Sequence, residues 1–169
     1  VDSAKSNLYM LSRHLLGAVQ VPYHNVHPMP VQLKGGLCEQ ADKGDEIYEA
    51  TINRVIVNAS MDYILLGVGS DGHTASLFPG QPSLEVNDKY VTYASGGPSD
   101  VSTDRITMTL PFINRARHVA VLVTGKSKHN IVHELSGGLI NPIQYPITGV
   151  ALPAGKLVWY IDQDAWSEK

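Results

Sequence analysis

The chain has 169 residues, 43% of them hydrophobic, enough for one domain, 1–169, with a continuous core. Its 13 basic and 16 acidic side chains leave a formal net charge of -3, which excludes the basic stripe that neutralises nucleic-acid phosphates. Cys38 is the single cysteine, which excludes an internal disulfide and a cysteine-ligated zinc site, and no apolar run reaches the ~18 residues of a membrane span. A cytoplasmic protein with neither a nucleic-acid nor a membrane partner is expected.

Leu8, Leu11, Leu15, Leu16 and Val19 recur at spacings of three and four, with Lys5 and Arg13 outside the stripe. That spacing predicts an amphipathic helix, and Asp2, Ser3 and Ser6 are its candidate caps. Three prolines in 21–30 predict a loop or an edge. Ile47, Tyr48, Ile52, Val55 and Ile56 predict a second helix starting near Asp45, just after Gly44, followed by a strand over 63–69. Further strands are expected over 90–94 and 105–110, the latter alternating Ile106, Met108 and Leu110 with threonines. The run Val119-Ala120-Val121-Leu122-Val123 inside 118–124 suits a strand covered on both faces. A helix over 127–135, stopped by Gly137 and Gly138, and a last strand over 156–161 complete the chain. This alternation predicts a layered α/β domain, Rossmann-like, with a mainly parallel sheet and helices on both faces. Ligands of such sheets sit outside the carboxyl ends of the strands.

The strand over 63–69 runs into a turn with three glycines, Gly67, Gly69 and Gly72, within six residues. Gly69 and Gly72 let a substrate approach the backbone closely. His73 is the group in this turn that accepts a proton near neutral pH, and a neutral imidazole can activate water as a general base. Asp71 either orients that imidazole or caps a following short helix. The N–H groups of Gly72 and His73 are candidate donors to an oxyanion. Ser76 lacks the Gly-x-Ser-x-Gly elbow of a hydrolase nucleophile and reads as packing or capping.

Two patterns in the chain are decoys. Gly67 to Gly72 satisfies the Gly-x-Gly-x-x-Gly dinucleotide fingerprint, with Asp88 at about the distance of a ribose-binding acid. That fingerprint must open a long helix, which Pro79, Gly80 and Pro82 forbid, and Asp71 would repel a phosphate. His24 with His27 and His129 with His133 have the spacing of metal ligands but neither the Glu of His-Glu-x-x-His nor a nearby cysteine. They read as exposed or half-exposed histidines, and no metal is expected.

The stretch Leu65-Leu66-Gly67-Val68-Gly69-Ser70-Asp71-Gly72-His73-Thr74-Ala75-Ser76-Leu77-Phe78-Pro79-Gly80 resembles the signature of the 6-phosphogluconolactonases, pentose phosphate pathway enzymes that hydrolyse a sugar-phosphate lactone. The resemblance extends along nearly the whole chain. It takes in Ser6-Asn7-Leu8-Tyr9, the strand Arg105-Ile106-Thr107-Met108-Thr109-Leu110-Pro111, and the turn Asn114-Arg115-Ala116-Arg117. Gly125-Lys126-Ser127-Lys128 and Pro153-Ala154-Gly155 before Val158-Trp159-Tyr160-Ile161-Asp162 follow in the family order.

The resemblance implies hydrolysis of 6-phospho-D-glucono-1,5-lactone to 6-phosphogluconate without a cofactor. It implies His73 as the base, and Arg105 and Lys128 as the cations that hold the substrate phosphate, at the starts of a strand and a helix. Lys126, Arg115 and Arg117 read as surface charges. It also implies a first strand, a glycine-rich phosphate loop and an Asp-Glu-Arg stretch, all expected upstream of Val1. Glucosamine-6-phosphate deaminases share a similar turn, but there the His is followed by Ile-Ala-Phe-Asn-Glu-Pro, whose carboxylate serves ring opening. Here Thr74-Ala75-Ser76-Leu77-Phe78-Pro79 supplies no acid. The remaining alternative is a non-catalytic sugar-phosphate-binding module, which would keep Arg105 and Lys128 and have no need of His73.

Overall fold

The computed structural model describes residues 7–30, 32–33, 36–37, 43–94 and 105–167. The cap candidates Asp2, Ser3 and Ser6, and Cys38, lie outside the described residues. The frame is a three-stranded parallel sheet of β3 (Ile64–Gly67), β6 (His118–Val123) and β7 (Lys156–Ile161), with β6 in the middle. Leu66 stands beside Val121 and Val121 beside Trp159, so one face of the sheet is apolar throughout. Ile64, Leu66, Val119, Val121 and Val123 are buried there with residues of three helices. These are Ile113 of α3 (Leu110–Asn114), Ile131 and Val132 of α4 (His129–Ser136), and Ala165 of α5 (Gln163–Trp166). A fully buried side chain such as Ile113, 0% exposed, contributes about 1.5–3 kcal/mol.

The other face differs from expectation. Leu65, Leu122 and Tyr160 point to it in register and are 64%, 48% and 54% exposed. Among the described residues, then, the apolar run of β6 is covered on one face, while on the other Ala120 is buried and Leu122 exposed. A continuous apolar run does not reveal this, because it reads the same whether one face is covered or both.

The strands expected over 90–94 and 105–110 form as β4 (Val91–Ala94) and β5 (Arg105–Met108) but pair antiparallel with each other, outside the parallel sheet. β5 ends at Met108 because Thr109 caps α3, accepting the Phe112 N–H at 3.3 Å, and Pro111 has no N–H to give a ladder. Phe112 packs with Val91 and with Ile52 of α2 (Gly44–Val55), while its neighbour Ile113 faces the parallel sheet, so α3 joins the hairpin to the sheet. Two-residue strands β1 (Gln32–Leu33) and β2 (Gly36–Leu37) make a separate antiparallel pair. In 21–30 a single 3-10 turn, Tyr23–Asn25, forms, and the carbonyl of His27 accepts the Tyr48 hydroxyl at 2.8 Å.

The first helix is shorter than its apolar spacing predicts. It is α-helical over α1 (Asn7–Leu11) and passes into a π-helical turn, Ser12–Leu16, where Gly17 N–H reaches back to Ser12 O at 2.9 Å. The wider turn breaks the 3.6-residue period, and none of its side chains is buried. Leu11, Leu15 and Val19 are 42%, 50% and 43% exposed.

Candidate active site

Because β3 and β6 are parallel neighbours, their carboxyl ends lie side by side, Gly67 beside Leu122. The loop that follows β3 carries His73, and the loop that follows β6 carries Lys128, so both leave the same edge of the sheet. The first loop is closed on itself by backbone bonds. Gly69 N–H donates to His73 O at 2.8 Å and Gly72 N–H to Gly69 O at 3.0 Å. Thr74, fully buried, donates its hydroxyl to Gly67 O at 2.9 Å, and Leu77 N–H reaches Thr74 O at 2.9 Å. No helix follows, since residues 74–80 form turns around a Thr74–Leu77 bridge. The dinucleotide fingerprint therefore lacks the helix N-terminus that would hold a pyrophosphate.

Inside this loop Asp71 Oδ1 lies 2.6 Å from His73 Nδ1 and accepts the His73 backbone N–H at 3.1 Å. With no helix to cap, Asp71 serves the imidazole. A carboxylate at Nδ1 fixes the proton there and leaves Nε2 with the free lone pair. Partial burial raises the Asp71 carboxyl, but the backbone and ring bonds from His73, with the charge of the ring when it is protonated, outweigh this and hold it below its ordinary value.

Each of the two glycines also leaves room for neighbouring side chains. A Cβ on Gly69 would stand 2.0 Å from His73 Nδ1 and 2.4 Å from Asp71 Oδ1, so the space of a side chain at 69 is where the Asp–His pair sits. Gly72, at φ +80°, packs against Tyr145, whose Cδ1 would be 2.7 Å from an added Cβ. The N–H groups of Gly72 and His73 are not turned to an oxyanion, since the first donates to Gly69 O and the second to Asp71.

Arg105 enters the site through Phe78. The His73 ring lies against Phe78 with centroids 4.7 Å apart, and the Arg105 guanidinium carbon is 5.8 Å from the centre of the same ring, within cation–π range. β5 also braces the loop directly, Thr107 Oγ1 accepting the Ser76 N–H at 3.0 Å. Arg105 and Lys128 form no ion pair among the described residues. Lys128 ends a 3-10 turn, Lys126–Lys128, that leads into α4, and no hydrogen bond joins it to His73, Asp71 or Arg105 among the described residues. Arg117 pairs with Asp62 at 3.0 Å and Arg115 donates to Asn58 O at 2.7 Å, both at the surface. His24 and His133 are exposed and His27 and His129 half-exposed, and among the described residues no group of three or more His, Cys, Asp or Glu could hold a metal.

Phe78, Thr107 and Tyr145 build this site without announcing themselves in the sequence pattern. Phe78 has the best signal, an apolar pair with Leu77 wedged between the turn and Pro79. Thr107 reads as one more strand threonine, and Tyr145 lies between Pro142 and Pro146 in a stretch without periodicity.

The sequence matches the family described as glucosamine-6-phosphate isomerases/6-phosphogluconolactonase over residues 1–159. The chain belongs to that family. It is 39% identical over 172 residues to the 6-phosphogluconolactonase of Synechocystis sp., covering 98% of this chain and 67% of that protein. With the human GDH/6PGL endoplasmic bifunctional protein it shares 44% identity over 166 residues, 98% of this chain but 21% of that protein. The fold superimposes on the crystal structure of 6-phosphogluconolactonase from Thermotoga maritima with a TM-score of 0.77 at 29% identity, covering 95% of this chain and 66% of that one. The chain thus spans about a fifth of the human relative and about two thirds of the others. Among the described residues no helix is long and apolar enough to cross a membrane.

Proposed function

We propose that the protein hydrolyses 6-phospho-D-glucono-1,5-lactone to 6-phosphogluconate, with His73 as general base. The observation that carries this reading is the 2.6 Å contact between His73 Nδ1 and Asp71, which leaves Nε2 as the proton acceptor at the carboxyl edge of a parallel sheet. Nε2 takes a proton from water as its oxygen bonds to the lactone carbonyl carbon. The tetrahedral oxyanion then collapses, the bond from that carbon to the ring oxygen breaks, and the imidazolium returns its proton to the departing oxygen. Arg105, held on the Phe78 face, and Lys128, on the neighbouring loop, bind the substrate phosphate. No carboxylate lies between Asp71 and Glu85, which disfavours a deaminase that needs an acid just past the histidine. A single cysteine and a small net negative charge are in keeping with a cytoplasmic enzyme.

Replacing His73 with Ala is the direct test. Turnover of the phosphorylated lactone, corrected for spontaneous opening, is expected to fall about a hundredfold or more while the folded state is retained. A folded His73→Ala variant with wild-type turnover would overturn the assignment.

A further inference from the structure

We infer that Tyr145 is a positioning residue that fixes the His73 turn relative to the helix behind Lys128, an inference that rests on the lactonase reading. Tyr145 is 8% exposed, and its side chain fills the space beside Gly72, one residue before His73. Two residues on, Ile147 N–H donates to Gly72 O at 3.0 Å, and earlier in the same segment Ile143 O accepts the Gly80 N–H at 2.9 Å. One segment, 143–147, therefore grips the catalytic loop at both ends.

The ring alone would fill this space as well on a phenylalanine, so the hydroxyl needs its own reason. It donates to the Glu134 carboxylate and accepts from Gln144 Nε2 at 2.9 Å. Glu134 belongs to α4, which continues directly from the turn that ends in Lys128. The phenol thereby joins the loop of the base to the element of the phosphate cation. The bond to Glu134, and then burial, raise the Tyr145 hydroxyl above its ordinary value, so it stays a proton donor at neutral pH. The segment is itself tied, Tyr145 N–H to Asn141 O at 2.7 Å and Thr148 Oγ1 to Tyr145 O at 2.7 Å. Displacement of the turn is thus resisted from behind as well as from within.

A residue that only supported the fold would affect every substrate alike, whereas one that sets the spacing of base and phosphate cation should matter most when a phosphate is present. Tyr145→Phe keeps the ring on Gly72 and removes the hydroxyl. It is expected to lower kcat/KM for the phosphorylated lactone about tenfold and for unphosphorylated glucono-1,5-lactone less than twofold. The pH profile of kcat should not move, because the Asp71–His73 pair is untouched, and Glu134→Gln, which keeps an acceptor oxygen, should stay near wild type. Equal losses on both lactones, or none on either, overturn the inference. A readout without turnover separates this from failure of the lactonase reading, namely the NMR signals of the His73 ring during titration with 6-phosphogluconate. A response in the wild type that is lost in Tyr145→Phe supports the inference even in a protein with no lactonase activity. A response equal in both overturns this inference alone, whereas one absent from both overturns the lactonase reading and this inference with it.

Discussion

The turn that carries His73 and the helix at the start of the chain are both drawn from short-range sequence patterns, yet they reach opposite ends of the structural scale. In the turn the N–H groups of Gly69, Gly72 and His73 all find acceptors within four residues, and Leu77, just beyond it, is 0% exposed. In the helix no leucine of the stripe is buried, Leu8 and Leu16 being half-exposed and Leu15 50% exposed, and a π-helical turn interrupts its period. The difference lies in where the stabilising contacts come from. The turn closes its own bonds and is then clamped by β5 and by the 143–147 segment. An amphipathic helix of this length needs a partner surface, because isolated short helices are marginal in water.

The largest expected effect strikes the turn where it has no slack. Gly69→Ala should leave a folded protein, because the atoms in its way belong to the His73 and Asp71 side chains, which can swing aside. Lactone turnover should still fall about a hundredfold, since a misplacement of about 1 Å at the reacting group costs that much. A folded Gly69→Ala variant with full turnover would show that the pair tolerates displacement.

The same contrast can be read in stability with one residue type. Leu77→Ala should cost about 2–5 kcal/mol in urea denaturation, whereas Leu15→Ala should stay within about 0.5 kcal/mol. Comparable losses at the two sites would mean that the first helix is packed in solution.

Removing the cations tests the open side of the turn. Arg105→Ala or Lys128→Ala should weaken binding of the phosphorylated lactone by about 1.5–3 kcal/mol, read as KM, and barely change the reaction of an unphosphorylated lactone. If both substrates suffer equally, these side chains support the fold instead.

The smallest effect concerns Asp71. Its folded carboxyl is held below the ordinary value of 3.8, so its contribution to stability is fully present above that value and is lost as pH falls through the lower folded one. Water screens the pair, with side chains 31% and 32% exposed, so Asp71→Asn should cost roughly 0.5 kcal/mol or less at pH 7. The urea midpoints of variant and wild type should converge below pH 3.8. A gap that persists undiminished there would place the contribution in packing and not in charge.

What the sequence makes legible follows the same division. The strand at 63–69, the helix from Gly44 and the glycine turn with its histidine are readable because short-range pattern and backbone freedom determine them. Arg105 at the start of a strand is readable for the same reason. The pairing of β4 with β5 outside the parallel sheet, and the exposure of Leu122 on β6, depend on which distant segment arrives next, and no local period encodes that. Phe78 and Tyr145 belong with these. Each gains its role from a contact with a residue far along the chain, Arg105 in one case and Gly72 in the other. The fate of the Gly72 and His73 N–H groups turned on a competition between internal acceptors and a ligand, which spacing alone does not decide.

Arg105 is seated on an aromatic face and faces no carboxylate among the described residues. An ion pair would have to be broken before the phosphate of the proposed substrate could be gripped, which would add a barrier to capture. The Phe78 ring attracts the guanidinium without itself neutralising its charge, so in the proposed phosphate-binding role Arg105 would draw an approaching anion from a distance. Encounter with the substrate should accordingly be fast, and should slow as added salt shortens the reach of that field.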